Sequence, residues 1–144
     1  MYQLNYRSKA APNLTQEDIN NILNTATTVN EEKNITGCLI YHNDSFVQIL
    51  EGKKEDVLDV YEKIKNDPRH YDVHLLWENN VNGRYFEEWS MAFHNPENKG
   101  IQLFINNLLI FSEITDRSSG SLYSFWGNVR RVLLGGSPSV PETI

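Results

Sequence analysis

Along the first 94 residues the hydrophobic period changes from two to 3.6 and back again, twice, and that order restricts the fold more than any other feature of the chain. Residues 2–7 alternate as a half-buried strand does, with Tyr2, Leu4 and Tyr6 on one face and Gln3, Asn5 and Arg7 on the other. Ile19, Ile22, Leu23 and Ala26 then recur at helical spacing over about three turns. Thr15-Gln16-Glu17-Asp18 opens that helix as a capping box, with Leu14 and Ile19 at the positions of a hydrophobic staple. Residues 35–41 and 45–52 read as two strands joined by a short polar hairpin through His42 to Asp44. Val57, Val60, Tyr61 and Ile64 mark a second helix over 53–66, with Lys63 and Lys65 in its last turn and Pro68 beyond its end. Val73 to Glu78 is a fourth strand and Asn82-Gly83 a turn. Phe86 to Phe93 ends in a fifth strand, in which Trp89, Met91 and Phe93 are expected to share a face. The order β-α-β-β-α-β-β contains the split βαβ pattern of ferredoxin-like α+β folds, with both helices on one face of the sheet.

The other face of such a sheet needs a cover, and the chain beyond His94-Asn95-Pro96 offers two helices for it. The first, about 98–112, is apolar on two sides, with Ile101, Phe104, Ile105 and Leu108 opposite Leu103 and Ile110. The second, about 120–134, carries Leu122, Phe125, Trp126, Val129 and Leu133 in one stripe and stops at Gly135-Gly136. The expected organisation is a domain over 1–94, a two-helix extension over 95–136 on the open face, and a loose tail over 137–144. A helix apolar on two sides needs two neighbours, so some of its surface is left for another subunit or a partner.

Several polar residues fall on apolar faces of this plan. Gln48 stands between Phe46 and Leu50 on one face of its strand, and a buried amide without a partner costs roughly 1–3 kcal/mol. Tyr6 also needs a hydrogen-bond partner on its apolar face, and Gln48 is a candidate. Asn30, after Thr27-Thr28-Val29, reads on position alone as a helix stop, with a ligand-facing amide as the other reading. Asp67-Pro68-Arg69-His70 places two basic donors in a connection, suited to a surface salt bridge or to an anionic ligand. Trp89 and Met91 taken alone read as core.

Composition removes several function classes. A net charge of −6 argues against a general nucleic-acid binder, which needs a basic stripe. No apolar run approaches the ~20 residues of a membrane span, and the chain opens on a strand pattern rather than a leader, so a cytoplasmic protein is expected. The single Cys38 lies in an apolar run, as an inert buried thiol does. His42, His70, His74 and His94 lack metal-ligand spacing, and phosphate-loop, dinucleotide-fold and nucleophile-elbow motifs are missing.

Five stretches lie in register with one family. Leu4-Asn5-Tyr6-Arg7-Ser8, Asn30 with Asn34-Ile35-Thr36-Gly37, Phe46-Val47-Gln48-Ile49-Leu50-Glu51-Gly52, Asp67-Pro68-Arg69-His70 and Trp89-Ser90-Met91 resemble the BLUF domain, a flavin-based blue-light sensor. The resemblance covers about residues 1–94. It implies a flavin, usually FAD with FMN the alternative, whose ring lies between the two helices over the sheet. Gln48 would then bond both the N5/O4 edge of the ring and Tyr6, and Asn30 the O4/N3 edge. Ile22 and Phe46 would line the pocket, and Arg69, His70 and Lys63 would lie toward the phosphate-bearing chain. Tyr6 would supply an electron and a proton on illumination, Gln48 would return rotated or tautomerised, and Trp89 and Met91 would carry the change outward. One polar ring edge would also satisfy Tyr6, Gln48 and Asn30 together, which favours the functional reading of all three.

With about fifty residues after the sensor region and no catalytic pattern in them, the resemblance implies a stand-alone, non-enzymatic photoreceptor. It would act on a downstream signalling protein and would itself be a homo-oligomer, with no direct contact to nucleic acid or membrane. Two alternatives are a light-silent flavin or ligand-binding module, and a small ferredoxin-like acyl-phosphate hydrolase holding phosphate through Arg69 or Arg7.

Overall fold

The computed structural model describes residues 1–94 together with 126–127, 129–131 and 134. Seven elements follow in order: β1 (Tyr2–Ala10), α1 (Gln16–Glu32), β2 (Thr36–His42), β3 (Ser45–Gly52), α2 (Lys54–Lys65), β4 (His70–Asn80) and β5 (Ala92–His94). The strands form one sheet in the order β4-β1-β3-β2-β5. The four long strands have the split ferredoxin-like order, and β5 adds to the β2 edge in parallel.

The capping box is made as its sequence implies. Thr15 Oγ1 accepts from the Asp18 backbone N–H at 3.1 Å, and Asp18 Oδ2 accepts from Thr15 N–H at 2.9 Å. Beyond that start α1 runs for 17 residues, close to five turns rather than three, and its C-cap is Lys33. Asn30 is therefore inside the last turn, buried, and not the stop that its position suggested. The β-branched run before it does not break the helix, because Thr27 Oγ1 donates back to Leu23 C=O at 2.9 Å and tertiary packing outweighs propensity.

The β2–β3 hairpin turns on Asn43 and Asp44, both left-handed at φ 49° and 58°, as a two-residue type I′ turn requires. Its register sets Leu39 opposite Gln48, while the β1–β3 register sets Tyr6 opposite Gln48. β1 and β4 both extend beyond their apolar alternation, to Ala10 and across His70–Asn80, because they pair with each other along that length. The register slips twice, between Asn5–Trp77 and Tyr6–Leu75 and again between Arg7–His74 and Lys9–Tyr71. At the first, Leu76 is the extra residue, and the slip lets the adjacent Leu76 and Trp77 both pack on the far face while Val73 and Leu75 face the helices.

Alternation along the strands divides the core in two. Tyr2, Leu4, Tyr6, Phe46 and Leu50 pack under α1 and α2 with Ile22, Val57, Val60 and Tyr61. Cys38, Ile40, Val47 and Ile49 face the other way and pack with Phe86, Trp126 and Val129. Residues 126–127 and 129–131 are helical, and Trp126 meets Phe86 edge-on at 5.8 Å. This part of the expected second C-terminal helix thus covers the far face, as the open sheet demanded. The expected helix over 98–112, the stop at Gly135-Gly136 and the tail over 137–144 lie outside the described residues. No helix among the described residues is long and apolar enough to cross a membrane.

The end of the sheet departs from its sequence reading. β5 is three residues long, and Trp89 and Met91 precede it rather than sharing one of its faces. Trp89 packs with Phe86 on the far side, whereas Met91 belongs to the core beneath the helices. The physical reason is that residues 81–91 run as turns, with Trp89 N–H bonded to Phe86 C=O at 3.0 Å, so a period of two does not apply there.

Candidate functional site

A cleft opens between α1 and α2 above the sheet, a concave, mostly apolar position of the kind that small-molecule sites occupy. Tyr6, Leu39 and Gln48 reach it from β1, β2 and β3. Ile22, Thr25, Ala26, Val29 and Asn30 line it from α1, and Val60, Lys63 and Ile64 from α2. Asp67, Arg69 and His70 close one end. The apolar stripes that hold the helices down thus continue as the walls of the cleft.

Tyr6 and Gln48 meet because they are directly opposed on neighbouring strands. The Tyr6 hydroxyl donates to Gln48 Oε1, and both side chains are buried. Burial, reinforced by Tyr61 and Asp67, raises the Tyr6 pKa far above that of an ordinary phenol, so the hydroxyl keeps its proton. Gln48 Nε2 points to Met91 Sδ at 3.4 Å, and a thioether is a weak acceptor. Asn30 is wholly buried; its Nδ2 donates to Ser90 C=O at 3.1 Å, while its Oδ1 has no hydrogen-bond partner among the described residues. The cleft therefore contains one amide weakly held and another half satisfied.

The charged end is more fully paired. Arg69 forks onto Asp67, with Nε at 3.0 and 3.1 Å from its two oxygens and Nη2 at 2.6 Å. Burial pushes the Asp67 pKa up, but the hydrogen bonds from Arg69 outweigh it and the carboxyl sits below its ordinary range. Lys63 pairs with Asp59 at 3.3 Å across one helical turn. His70 is buried with Nδ1 at 2.9 Å from Ser8 Oγ, and burial lowers its pKa. Arg7 lies on the far side of the sheet by strand alternation, so it and Arg69 do not form one phosphate site.

Tyr6, Ile22, Asn30, Gln48, Lys63, Arg69 and His70, all singled out in the sequence, thus come together around one cleft. Three others do not line it. Phe46 is fully buried between Tyr41 and the His70 ring, at 5.1 and 4.8 Å, so His70 stands between it and the opening. Met91 touches the site through Gln48, and Trp89 packs on the far side of the sheet. Sequence reasoning missed the roles of Thr25, Val29 and Asp67 in the lining, and that of Ser90 beside it. Thr25 and Val29 flank the helical stripe at i+3 and i+7 from Ile22, a usable signal; nothing local marks Ser90.

Comparison with known proteins agrees with this arrangement. The family model described as "Sensors of blue-light using FAD" (BLUF) matches residues 1–92. The chain is 40% identical over 95 residues to the photoactivated adenylate cyclase subunit beta of Euglena longa, covering 65% of this chain. It spans only 11% of the length of that subunit. Among solved structures, the photo-activated state of BlsA superposes with a TM-score of 0.79 at 28% identity, covering 90% of this chain and 94% of the other. A bacterial light-regulated adenylyl cyclase superposes with a TM-score of 0.70 at 33% identity, over 78% of this chain and 34% of the cyclase. The matched region holds the Tyr6–Gln48 pair, the cleft above it and the strands that bring them together, and the chain belongs to the BLUF family of blue-light sensors that use FAD.

Proposed function

We propose that the cleft between α1 and α2 holds the isoalloxazine ring of FAD and that Tyr6 and Gln48 are its light-responsive partners. The observation that carries this is the Tyr6–Gln48 hydrogen bond facing the cleft, beside an Asn30 Oδ1 with no partner among the described residues. The donor set fits the group: a flavin edge offers a donor for Asn30 Oδ1 and acceptors for amide N–H groups, and the aliphatic walls suit its ring. Ile22 would pack on the ring, and Lys63, Arg69 and His70 would face the phosphate-bearing chain. Phe46 would support the site from behind His70.

When bound, the flavin supplies absorption of blue light and an excited state that accepts an electron. Tyr6 would give up that electron, with Gln48 Oε1 the first acceptor of its hydroxyl proton, and both would return to Tyr6 when the separated charges recombine. Gln48 can then turn its amide, which brings Nε2 toward Tyr6 and Oε1 toward Met91 Sδ. Sulfur there has no proton to donate, so the turned arrangement is the higher in energy and relaxes in the dark. A light pulse thus populates the minor state of a two-state network. Met91 passes the change to β5 and the segment covering the far face. That output controls association with a downstream signalling protein within a cytoplasmic homo-oligomer, and the chain itself catalyses no reaction.

The test is an absorption spectrum of the purified flavin-loaded protein before and after blue light, where a reversible red shift of the flavin band is expected. Gln48→Leu should keep flavin and lose the shift, and a shift that survives would remove Gln48 from its role. Tyr6→Phe should also be silent, and normal photocycling in that variant would exclude Tyr6 as the electron donor.

A further inference from the structure

The connection from β4 to β5 carries Ser90 and Met91 beside the cleft but is fastened from the opposite face of the sheet. Glu51 on β3 is wholly buried, and its carboxylate accepts four hydrogen bonds among the described residues. They come from Gln3 Nε2 at 3.1 Å, Thr36 Oγ1 at 3.2 Å, Tyr85 N–H at 2.6 Å and Phe86 N–H at 2.8 Å. Bonds to an ionised carboxylate are roughly twice as strong as neutral ones. Arg84 adds a second clasp, with Nη1 on Thr36 Oγ1 at 2.8 Å and on Glu51 C=O at 3.0 Å, and Nη2 on Asn34 C=O at 2.8 Å. Past Phe86, Arg130 Nη2 pairs with Glu88 at 2.9 Å near the surface, and beyond Glu88 the hold weakens, with Ser90 Oγ on Glu31 Oε1 at 3.3 Å. Gly37 N–H reaches Trp89 C=O at 3.3 Å, Asn30 holds Ser90 C=O at 3.1 Å, and Met91 has its thioether contact to Gln48 at 3.4 Å. Among the described residues, β5 then has three residue pairs with β2.

We infer that Glu51 is a positioning residue that gives the output of the cleft its direction. The inference rests on the reading of Gln48 as the switch. A strip of chain held hard at Tyr85 and Phe86 and lightly at Met91 does not pass a displacement back into β4. The displacement goes forward into β5 and whatever follows it. Gln48 and Glu51 project from opposite faces of one strand three residues apart, so the moving point and the fixed point share a single rigid support.

Amide hydrogen exchange of the full flavin-loaded chain, in the dark and under blue light, tests this. In the wild type, light should speed exchange at 92–94 by about tenfold and leave Tyr85 and Phe86 at their dark rates. Glu51→Gln keeps the shape but sets an N–H donor where one acceptor oxygen stood. In that variant the red shift should persist while light-dependent exchange spreads to Tyr85 and Phe86 and the response at 92–94 falls by about threefold. Arg84→Met should show the same spread to a smaller degree, and it decides the matter if Glu51→Gln does not fold. The inference is overturned if light changes Tyr85 and Phe86 exchange in the wild type, or if both variants keep the wild-type light-to-dark ratios. A faster exchange at Tyr85 and Phe86 that is equal in dark and light would show a merely structural Glu51 and would also overturn it. Bound flavin without any wild-type shift would instead remove the Gln48 switch, and this inference with it.

Discussion

The two faces of β3 each bury one polar side chain, and they treat it in opposite ways. On the far face Glu51 is saturated, with four donors converging on two oxygens. On the cleft face Gln48 has a phenol on its oxygen and only a thioether on its nitrogen. A saturated buried network has one good arrangement and is rigid, whereas a partly satisfied one keeps a second arrangement within reach. Placing the two three residues apart on a central strand sets a switchable group against a fixed frame. The difference lies in the number and quality of partners, since both groups are almost wholly excluded from water.

The largest effect expected from breaking this contrast comes from the fixed side. Glu51→Ala strands the Tyr85 and Phe86 amides and the Gln3 side chain, and should cost about 3–5 kcal/mol, read as a fall in the urea midpoint at constant m. A cost below 1 kcal/mol would mean that the far-face network is not a frame. Next is Gly37→Ala, at the seam between β2 and the Met91 segment. A Cβ there would lie 2.0 Å from Ile49 O and 3.3 Å from the Met91 methyl, so the strands must part. A loss of about 1–3 kcal/mol is expected on denaturant unfolding, with the recovery of the dark spectrum altered as Met91 shifts. On the switchable side, Gln48→Leu leaves only the Tyr6 hydroxyl without its acceptor and should cost about 1–2 kcal/mol, less than Glu51→Ala. Equal losses for the two variants would erase the contrast.

The smallest effect is a pH dependence at the end of the cleft. His70 is held neutral by burial, with Asp67 favouring its charged form and Arg69 opposing it. Its folded-state pKa lies below the ordinary value of 6.5, so its contribution to stability is complete above that pH. That contribution is lost as pH falls through the lower folded-state value. Thermal unfolding of the wild type should therefore soften more between pH 7 and pH 5 than that of His70→Gln. A steeper slope in the variant would reverse the sign assigned to His70.

Most of the cleft was legible in residues 1–70 because regular periodicity reports which way a side chain points. Alternation could place Tyr6 and Gln48 on the same face of one sheet, while their direct opposition came from the β1–β3 register. Asn30 was misplaced by local rules and recovered only through the family resemblance. Its helix is prolonged by packing that no local rule contains. Residues 81–91 were read poorly for a related reason: they have no period, and their path is set by hydrogen bonds to Glu51, Thr36 and Gly37, distant in sequence. Trp89 and Met91, two residues apart, consequently ended on opposite sides of the sheet.

By itself the sequence determined the order of strands and helices, the start of α1, the hairpin, the shared face of Tyr6 and Gln48 and the family. These depend on local propensity and on side-chain alternation, both written in short stretches of chain. Tertiary structure alone decided where α1 ends, that Asn30 keeps an oxygen without a partner among the described residues, that Phe46 sits behind His70, and that Glu51 fastens the strip leading to β5. Each of those outcomes depends on which distant donors and acceptors remain to be satisfied once the sheet has closed, and a buried polar group finds its partner only in three dimensions.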